Sequence, residues 1–168
     1  MQCAGVCFAL CVRCAPPSVL HSAVCVCAQK GLPISLAAPY HRSVVIHATA
    51  DHPMGPYKYR DTIGHGHNPT LYNTGKRNVI YCVGKFYHSK TLNGPWKHSA
   101  FDFHKRERWC VQRRVNFTFA PRDDGSYTAI SRRGFAWISP DGFKDWYLIS
   151  VESVYPQVEG IFEDPCMW

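Results

Sequence analysis

The chain has 168 residues, a mass of 19.1 kDa and a formal net charge of +7, and 46% of its residues are hydrophobic, 14% aromatic and only 18% charged. This composition allows a packed core and excludes a wholly disordered chain. The basic excess alone would suit nucleic-acid binding. No helix-turn-helix, zinc finger or aromatic single-strand platform accompanies it, so we expect no nucleic-acid partner.

The first 50 residues differ in texture from the rest of the chain. Six of the nine cysteines lie there, at positions 3, 7, 11, 14, 25 and 27. Cys11 and Cys14 form a CxxC pair, but no second pair follows at the spacing of a metal site. No βαβ pattern surrounds the pair to indicate a redox motif. We therefore expect neither a metal nor another cofactor at these cysteines.

A short apolar run at residues 4–12 could form the core of a secretory signal. No Lys or Arg precedes it, however, and it is too short to span a membrane, so we expect no membrane association. We interpret residues 1–50 as an irregular, Cys-rich extension. A secretory signal peptide, which would imply a secreted protein, and a non-native translated leader stay open as alternatives.

From residue 51 onward, short β-rich runs alternate with turn residues. Residues 78–86 are apolar, β-branched and aromatic, which predicts a buried strand. The Asp-Gly step at 124–125 predicts a hairpin turn leading into a strand at 127–131, and a further strand is expected at 135–139. No stretch has the 3.6-residue period of an amphipathic helix. The sequence therefore predicts an all-β fold.

A repeat distinguishes among the all-β folds. Asn68, Asn116 and Asp164 are spaced 48 residues apart, and each begins a similar polar-to-aromatic segment. Gly-Pro-aromatic steps at 55–57 and 94–96, and a looser copy at 143–147, occupy a common later position that should open the last strand of each repeat. A period near 48 suits a four-stranded propeller blade of about 40 to 50 residues. We therefore predict a propeller, with a further repeat opening at the end of this chain.

The motifs resemble those of the five-bladed β-propeller glycoside hydrolases related to family 43. The resemblance is carried by Ser-Lys-Thr-Leu-Asn-Gly-Pro-Trp at 89–96, by a weaker copy at 139–146 and by Glu-Asp-Pro at 163–165. It covers about residues 51–168. It implies a partial five-bladed β-propeller of about two and a half blades in residues 51–168, after the irregular N-terminal extension of residues 1–50.

The resemblance also implies a function. A pocket on the propeller axis would bind an oligo- or polysaccharide, and paired carboxylates would hydrolyse arabinose- or xylose-type glycans with inversion. Asp164 matches a catalytic carboxylate position, although it could instead only cap the turn before its proline. His67, Asn68, Asn116 and Glu163 are expected to contact substrate. The oligomeric state stays open.

Three features limit this interpretation. Asn68 and Asn116 cannot act as acid or base, and either could instead satisfy backbone groups. Glu163 neighbours Asp164 in sequence, so on a strand the two point to opposite faces and cannot form one catalytic pair. No partner carboxylate for Asp164 is visible. We therefore expect this chain to be inactive alone, and a non-catalytic glycan-binding propeller is the alternative.

Two other groups of residues invite a ligand. His65 and His67 share a strand face, but no carboxylate or thiolate obviously accompanies them, so we predict no metal site there. The five tryptophans could stack on sugars. In a propeller most such aromatics pack between blades, and we expect that role for most of these.

Overall fold

The structure is a computed structural model. It describes the backbone of residues 21–27 and residues 44–52, 54–66, 68–82, 84–100, 102–104, 116–132, 134–150, 152 and 154. These residues form β-strands and no helix, as the sequence predicts. The chain divides into two compact units, Met1–Leu71 and Tyr72–Trp168.

The strands form three antiparallel sheets, each with its strands in sequential order, and none of the sheets closes into a barrel. The described strands are β1 (His21–Cys27), β2 (Val44–Ala50), β3 (Lys58–His65), β4 (Thr70–Asn73), β5 (Asn78–Cys82), β6 (Lys85–Ser89), β7 (Lys97–Ala100), β8 (Thr118–Pro121), β9 (Tyr127–Ile130), β10 (Ala136–Ser139) and β11 (Tyr147–Ser150). The number of propeller blades stays a prediction.

The first sheet, β1-β2-β3, corrects one expectation. β1 and β2 lie within residues 1–50, which we expected to be irregular, and they pair in unbroken register from His21↔Ala50 to Cys27↔Val44. β2 then pairs with β3 through two register shifts. The β-branched residues of β2 favour a strand, but only pairing with distant segments fixes it. The domain boundary at residue 50 itself stays a prediction.

The second sheet, β4-β5-β6-β7, differs from the sequence prediction at residues 78–86. The single strand expected over 78–86 is a hairpin, in which β5 pairs with β6 from Asn78↔Ser89 to Cys82↔Lys85. Gly84 makes the turn possible, because its φ of +80° lies in the left-handed region that glycine adopts without strain. Its N–H donates to the Tyr81 hydroxyl at 3.0 Å. An apolar run on both sides conceals this turn in the sequence.

The third sheet, β8-β9-β10-β11, matches its predicted strands closely. The Asp-Gly turn joins β8 to β9, and Asp124 Oδ1 accepts a hydrogen bond from the Ser126 N–H at 2.9 Å. The hydrogen bonds of Ser126 hold the pKa of the Asp124 carboxyl below its usual value. This carboxylate therefore serves the hairpin turn.

The later repeat segments have a common structural position. Gly55-Pro56-Tyr57 precedes β3, Gly94-Pro95-Trp96 precedes β7, and residues 143–146 precede β11. The first two begin with the same turn, in which the Gly55 and Gly94 N–H groups donate to carbonyl oxygens three residues earlier, at 2.8 and 3.2 Å. Each segment thus opens the last strand of its sheet, as the repeat predicts.

An aromatic core lies between the second and third sheets, within the unit Tyr72–Trp168. Its buried members are Val79, Tyr81, Phe86, Phe103, Phe117, Phe119, Tyr127, Ala129, Trp137, Phe143 and Trp146. Trp137 and Trp146 are completely buried. Their indole rings therefore pack in the core and cannot stack on a sugar, whereas Trp109 and Trp168 lie outside the described residues.

We expect Cys82 to resist alkylation at pH 8 in the folded protein. The thiol is buried in β5, and burial raises its pKa to about 12, with Lys85 opposing the shift. Because the thiolate is the reacting form, labelling by iodoacetamide should be at least about a hundredfold slower than in denaturant. Peptide mass spectrometry of folded and urea-unfolded samples measures the ratio. Equal rates would contradict the buried position of β5.

Candidate functional site

Two of the predicted site residues precede the first strands of the second and third sheets, at positions that we call the strand openings. Asn68 and Asn116 each stand two residues before their strand, β4 or β8. Their φ angles are +46° and +48°, and the left-handed conformation is one that Asn adopts more readily than most residues. The 48-residue repeat is therefore also a repeat of backbone conformation.

Asn116 is the better defined of the two openings. It is 8% exposed, and Phe117 and Thr118 beside it are 2% and 7% exposed. Its side chain offers amide donors and a carbonyl acceptor, which suit a sugar hydroxyl, and no titratable group. The Asn116-Phe117-Thr118 sequence is a formal glycosylation acceptor, but such acceptors are modified on exposed surface loops, whereas Asn116 is mostly buried beside β8.

The structure does not test the substrate contacts predicted for the site residues. Asn68 is half-buried and lies in the first compact unit, whereas Asn116 lies in the second. Their convergence on a common axis therefore stays a prediction. His67, Glu163 and Asp164 lie outside the described residues, so the roles predicted for them stay predictions.

Two tyrosines hold the start of the second sheet against the third. The Tyr72 hydroxyl donates to the Gly142 carbonyl at 2.7 Å, and the Tyr127 hydroxyl donates to the Asn73 carbonyl at 3.0 Å. The Tyr72 ring also stacks on Phe119, with centroids 4.3 Å apart. Burial first, then the charge of Asp141 and the neighbouring tyrosines, raises the pKa of Tyr72 well above its usual value. Tyr72 is thus a neutral hydrogen-bond donor that positions β4.

The described carboxylates of the second unit do not occupy the strand openings. They are Asp102, Asp123, Asp124, Asp141, Asp145 and Glu152. Asp141 is typical, since its Oδ1 accepts the N–H groups of Phe143 and Lys144, both at 2.8 Å, and so closes the loop before β11. The described openings therefore offer amides that can bind a ligand, without an acid–base pair that could cleave it.

The first unit contains a polar pair that the sequence analysis missed. His47 on β2 lies directly opposite Asp61 on β3, and His47 Nδ1 is 3.2 Å from Asp61 Oδ1. His47 is 3% exposed, and its Nε2 has no hydrogen-bond partner among the described residues. Only the cross-strand register brings the two residues together, so nothing in their sequence spacing indicates the pair.

The described residues contain neither a metal-binding cluster nor a membrane-spanning helix. No group of three or more His, Cys, Asp or Glu side chains there could hold a metal ion. The same part of the chain contains no helix long and apolar enough to cross a membrane.

The chain is similar to a glycoside hydrolase of known structure. No protein-family model and no curated protein sequence matches the chain. Among solved structures, it is similar to Zg3597, a family 117 glycoside hydrolase produced by the marine bacterium Zobellia galactanivorans, with a TM-score of 0.56 and 14% identity. The match covers 82% of this chain but only 44% of that one.

The similarity bears on the fold. It supports a glycoside-hydrolase-like fold for this chain, which agrees with the sequence resemblance at that level. The matched hydrolase belongs to family 117, so the closer relation to family 43 and the five-bladed closure stay predictions. At 14% identity the match carries no information on substrate.

Proposed function

We propose that this chain is part of a carbohydrate-active β-propeller whose strand openings line a sugar-binding pocket. The observation that carries the proposal is the repeated left-handed asparagine: Asn68 and Asn116 precede equivalent strands of two successive sheets. The glycoside-hydrolase-like fold supports a carbohydrate ligand. In its full form the proposal is a five-bladed, family 43-related propeller acting on arabinose- or xylose-type glycans.

The proposed chemistry is inverting hydrolysis. One carboxylic acid protonates the leaving oxygen while a carboxylate activates a water on the opposite face of the sugar, with the two groups about 6.5–9.5 Å apart. Asp164 is proposed as one of these two groups, and the second comes from outside the described residues. His67, Asn68, Asn116 and Glu163 would bind sugar hydroxyls and hold the ring in place.

A non-catalytic glycan-binding propeller is the second candidate. The specific observation in its favour is that the residue at each described strand opening, Asn68 or Asn116, has an amide side chain. An amide binds hydroxyls but transfers no proton at neutral pH. Under this alternative, Asp164 would contribute a hydrogen-bond acceptor to the pocket and no catalysis.

Because this chain is expected to be inactive alone, turnover and binding are measured on a full-length parent protein, and together they separate these candidates. Aryl arabinosides and xylosides report hydrolysis, and calorimetric titration with arabino- and xylo-oligosaccharides reports binding. Turnover that Asp164→Asn abolishes would support the enzyme. Oligosaccharide binding without turnover would support the binding module. A folded parent protein that neither binds nor cleaves these sugars would contradict the proposed ligand.

We expect Asn116→Gly to weaken oligosaccharide binding about tenfold, the upper range for one lost hydrogen bond. Glycine keeps the left-handed backbone and removes only the amide side chain. Asp145→Gly is the matched control, because Asp145 also has a positive φ, of +55°, but lies far along the chain before β11. Calorimetry on both variants makes the comparison. Equal affinities in the two variants would exclude Asn116 from the pocket.

A further inference from the structure

Among the three described sheets, β4-β5-β6-β7 has the largest excess of positive charge. Residues 70–100, which form β4 to β7, contain no Asp or Glu and five Lys or Arg: Lys76, Arg77, Lys85, Lys90 and Lys97. Residues 116–150, which form β8 to β11, contain four Lys or Arg and four Asp. Two sheets of the same topology therefore differ sharply in charge.

The strand register gathers four of the five cations at one end of that sheet. β5 begins at Asn78, opposite Ser89, so Arg77 and Lys90 flank the same end. The Asn78 side chain donates to the Lys90 carbonyl at 3.4 Å. β7 begins at this end too, with Lys97 opposite His88. We call Lys76, Arg77, Lys90 and Lys97 the basic end.

The cations of the basic end are accessible and lack acidic partners among the described residues. Lys76, Lys90 and Lys97 are exposed, and no carboxylate within that part of the chain forms an ion pair with them. Neighbouring strands lie about 4.8 Å apart, so side chains from β5 to β7 are spread over about 10 Å. This spread suits a ligand with several acidic groups along its length.

Arg77 is held in place by aromatic packing. Its guanidinium carbon lies 4.4 Å from the centroid of the Phe143 ring, and the His88 ring lies 4.8 Å from the same centroid, edge to face. Stacking uses the face of the guanidinium, so its N–H edge remains suited to a carboxylate or sulfate. Burial, then Arg77 and Lys97, lowers the pKa of His88, which agrees with a positive potential at this end.

We propose that the basic end binds acidic glycans, meaning carbohydrate chains that carry carboxylate or sulfate groups. The choice of a glycan rests on the proposed function. A single-stranded nucleic acid would also need exposed aromatic platforms for its bases. The exposed large hydrophobic side chains of the described residues are Met54, Tyr59, Ile149 and Val154, none of which belongs to the sheet β4-β5-β6-β7.

The test compares dextran sulfate with uncharged dextran as probes of the whole chain. The wild type should bind only dextran sulfate. The variant Lys76→Gln/Lys90→Gln/Lys97→Gln should bind it at least about tenfold more weakly at low salt, with a shallower salt dependence. Lys58→Gln/Lys85→Gln/Arg122→Gln removes the same charge from exposed positions elsewhere, so its affinity should stay within about twofold of the wild type.

Three outcomes would overturn the proposal. If both triple variants lost the same affinity for dextran sulfate, binding would depend on net charge and not on the basic end. If the wild type bound dextran and dextran sulfate equally well, the sulfate charge would play no part in recognition. Tighter binding of an oligothymidylate than of dextran sulfate at the same salt would assign the surface to nucleic acid. Because these variants leave the strand openings intact, the proposed pocket can fail its own test while the basic end passes, and the reverse.

Discussion

Trp137→Ala should lower the free energy of unfolding by about 3–5 kcal/mol, the usual range for deleting a buried large aromatic side chain. Trp137 lies on β10 and is completely buried. Its ring meets Phe103 and Phe117 edge to face, with centroids 5.0 and 5.9 Å away. Rigid strands surround the site, so they can only partly collapse into the cavity. Urea denaturation gives the loss as a lower midpoint, provided that the slope is unchanged.

Two further variants identify the cause of that loss. Trp137→Phe should be milder, because it retains part of the ring volume, and the indole N–H has no hydrogen-bond partner among the described residues to lose. Ile149→Ala on β11 should change stability by no more than about 0.5 kcal/mol, since Ile149 is 54% exposed. If Trp137→Ala lowered the free energy of unfolding as little as Ile149→Ala, the second and third sheets would not pack as described.

The same core couples stability to the candidate site. Phe117, a direct neighbour of Trp137, follows Asn116 in the chain and is 2% exposed. A cavity at Trp137 would loosen the packing of Phe117 and with it the orientation of the Asn116 amide. Ligand-binding measurements on core variants must therefore be paired with stability measurements, whereas Asn116→Gly tests the amide directly.

Local signals in the sequence predicted part of this architecture. The asparagines at the strand openings and the Gly-Pro-aromatic segments depend on backbone conformations that only a few residue types adopt readily, so a repeat in sequence becomes a repeat in structure. The Asp-Gly hairpin between β8 and β9 is also predicted by a local signal of this kind. These features place the strand openings without knowledge of tertiary contacts.

The features that the sequence did not reveal depend on pairing between distant segments. The Gly84 hairpin is hidden because apolar residues flank it on both sides. β1 and β2 become visible only through their mutual pairing. The His47–Asp61 pair and the gathering of Arg77 and Lys90 follow from cross-strand register, which side-chain alternation alone does not determine. The charged groups outside the strand openings were therefore the hardest to predict.

Gly142→Ala should lower the free energy of unfolding by about 2–5 kcal/mol, by two mechanisms that add. Gly142 has a φ of +72°, where alanine is disfavoured by about 1–2 kcal/mol. An added Cβ would also lie 2.7 Å from Cγ and Cδ2 of Tyr127, and overpacking of this kind costs about 1–3 kcal/mol. Thermal and urea unfolding of the variant measure the sum.

The protein offers little freedom to relieve that clash. Moving the Tyr127 ring strains its hydrogen bond to the Asn73 carbonyl, and moving the Gly142 backbone strains the hydrogen bond from Tyr72. Gly125→Ala is the matched control, because Gly125 has a φ of +82° with no atom within 4 Å of an added Cβ. Gly125→Ala should lower the free energy of unfolding only by the cost of the left-handed backbone, about 1–2 kcal/mol. Equal losses at the two glycines would show that the Tyr127 ring does not lie against Gly142 as described.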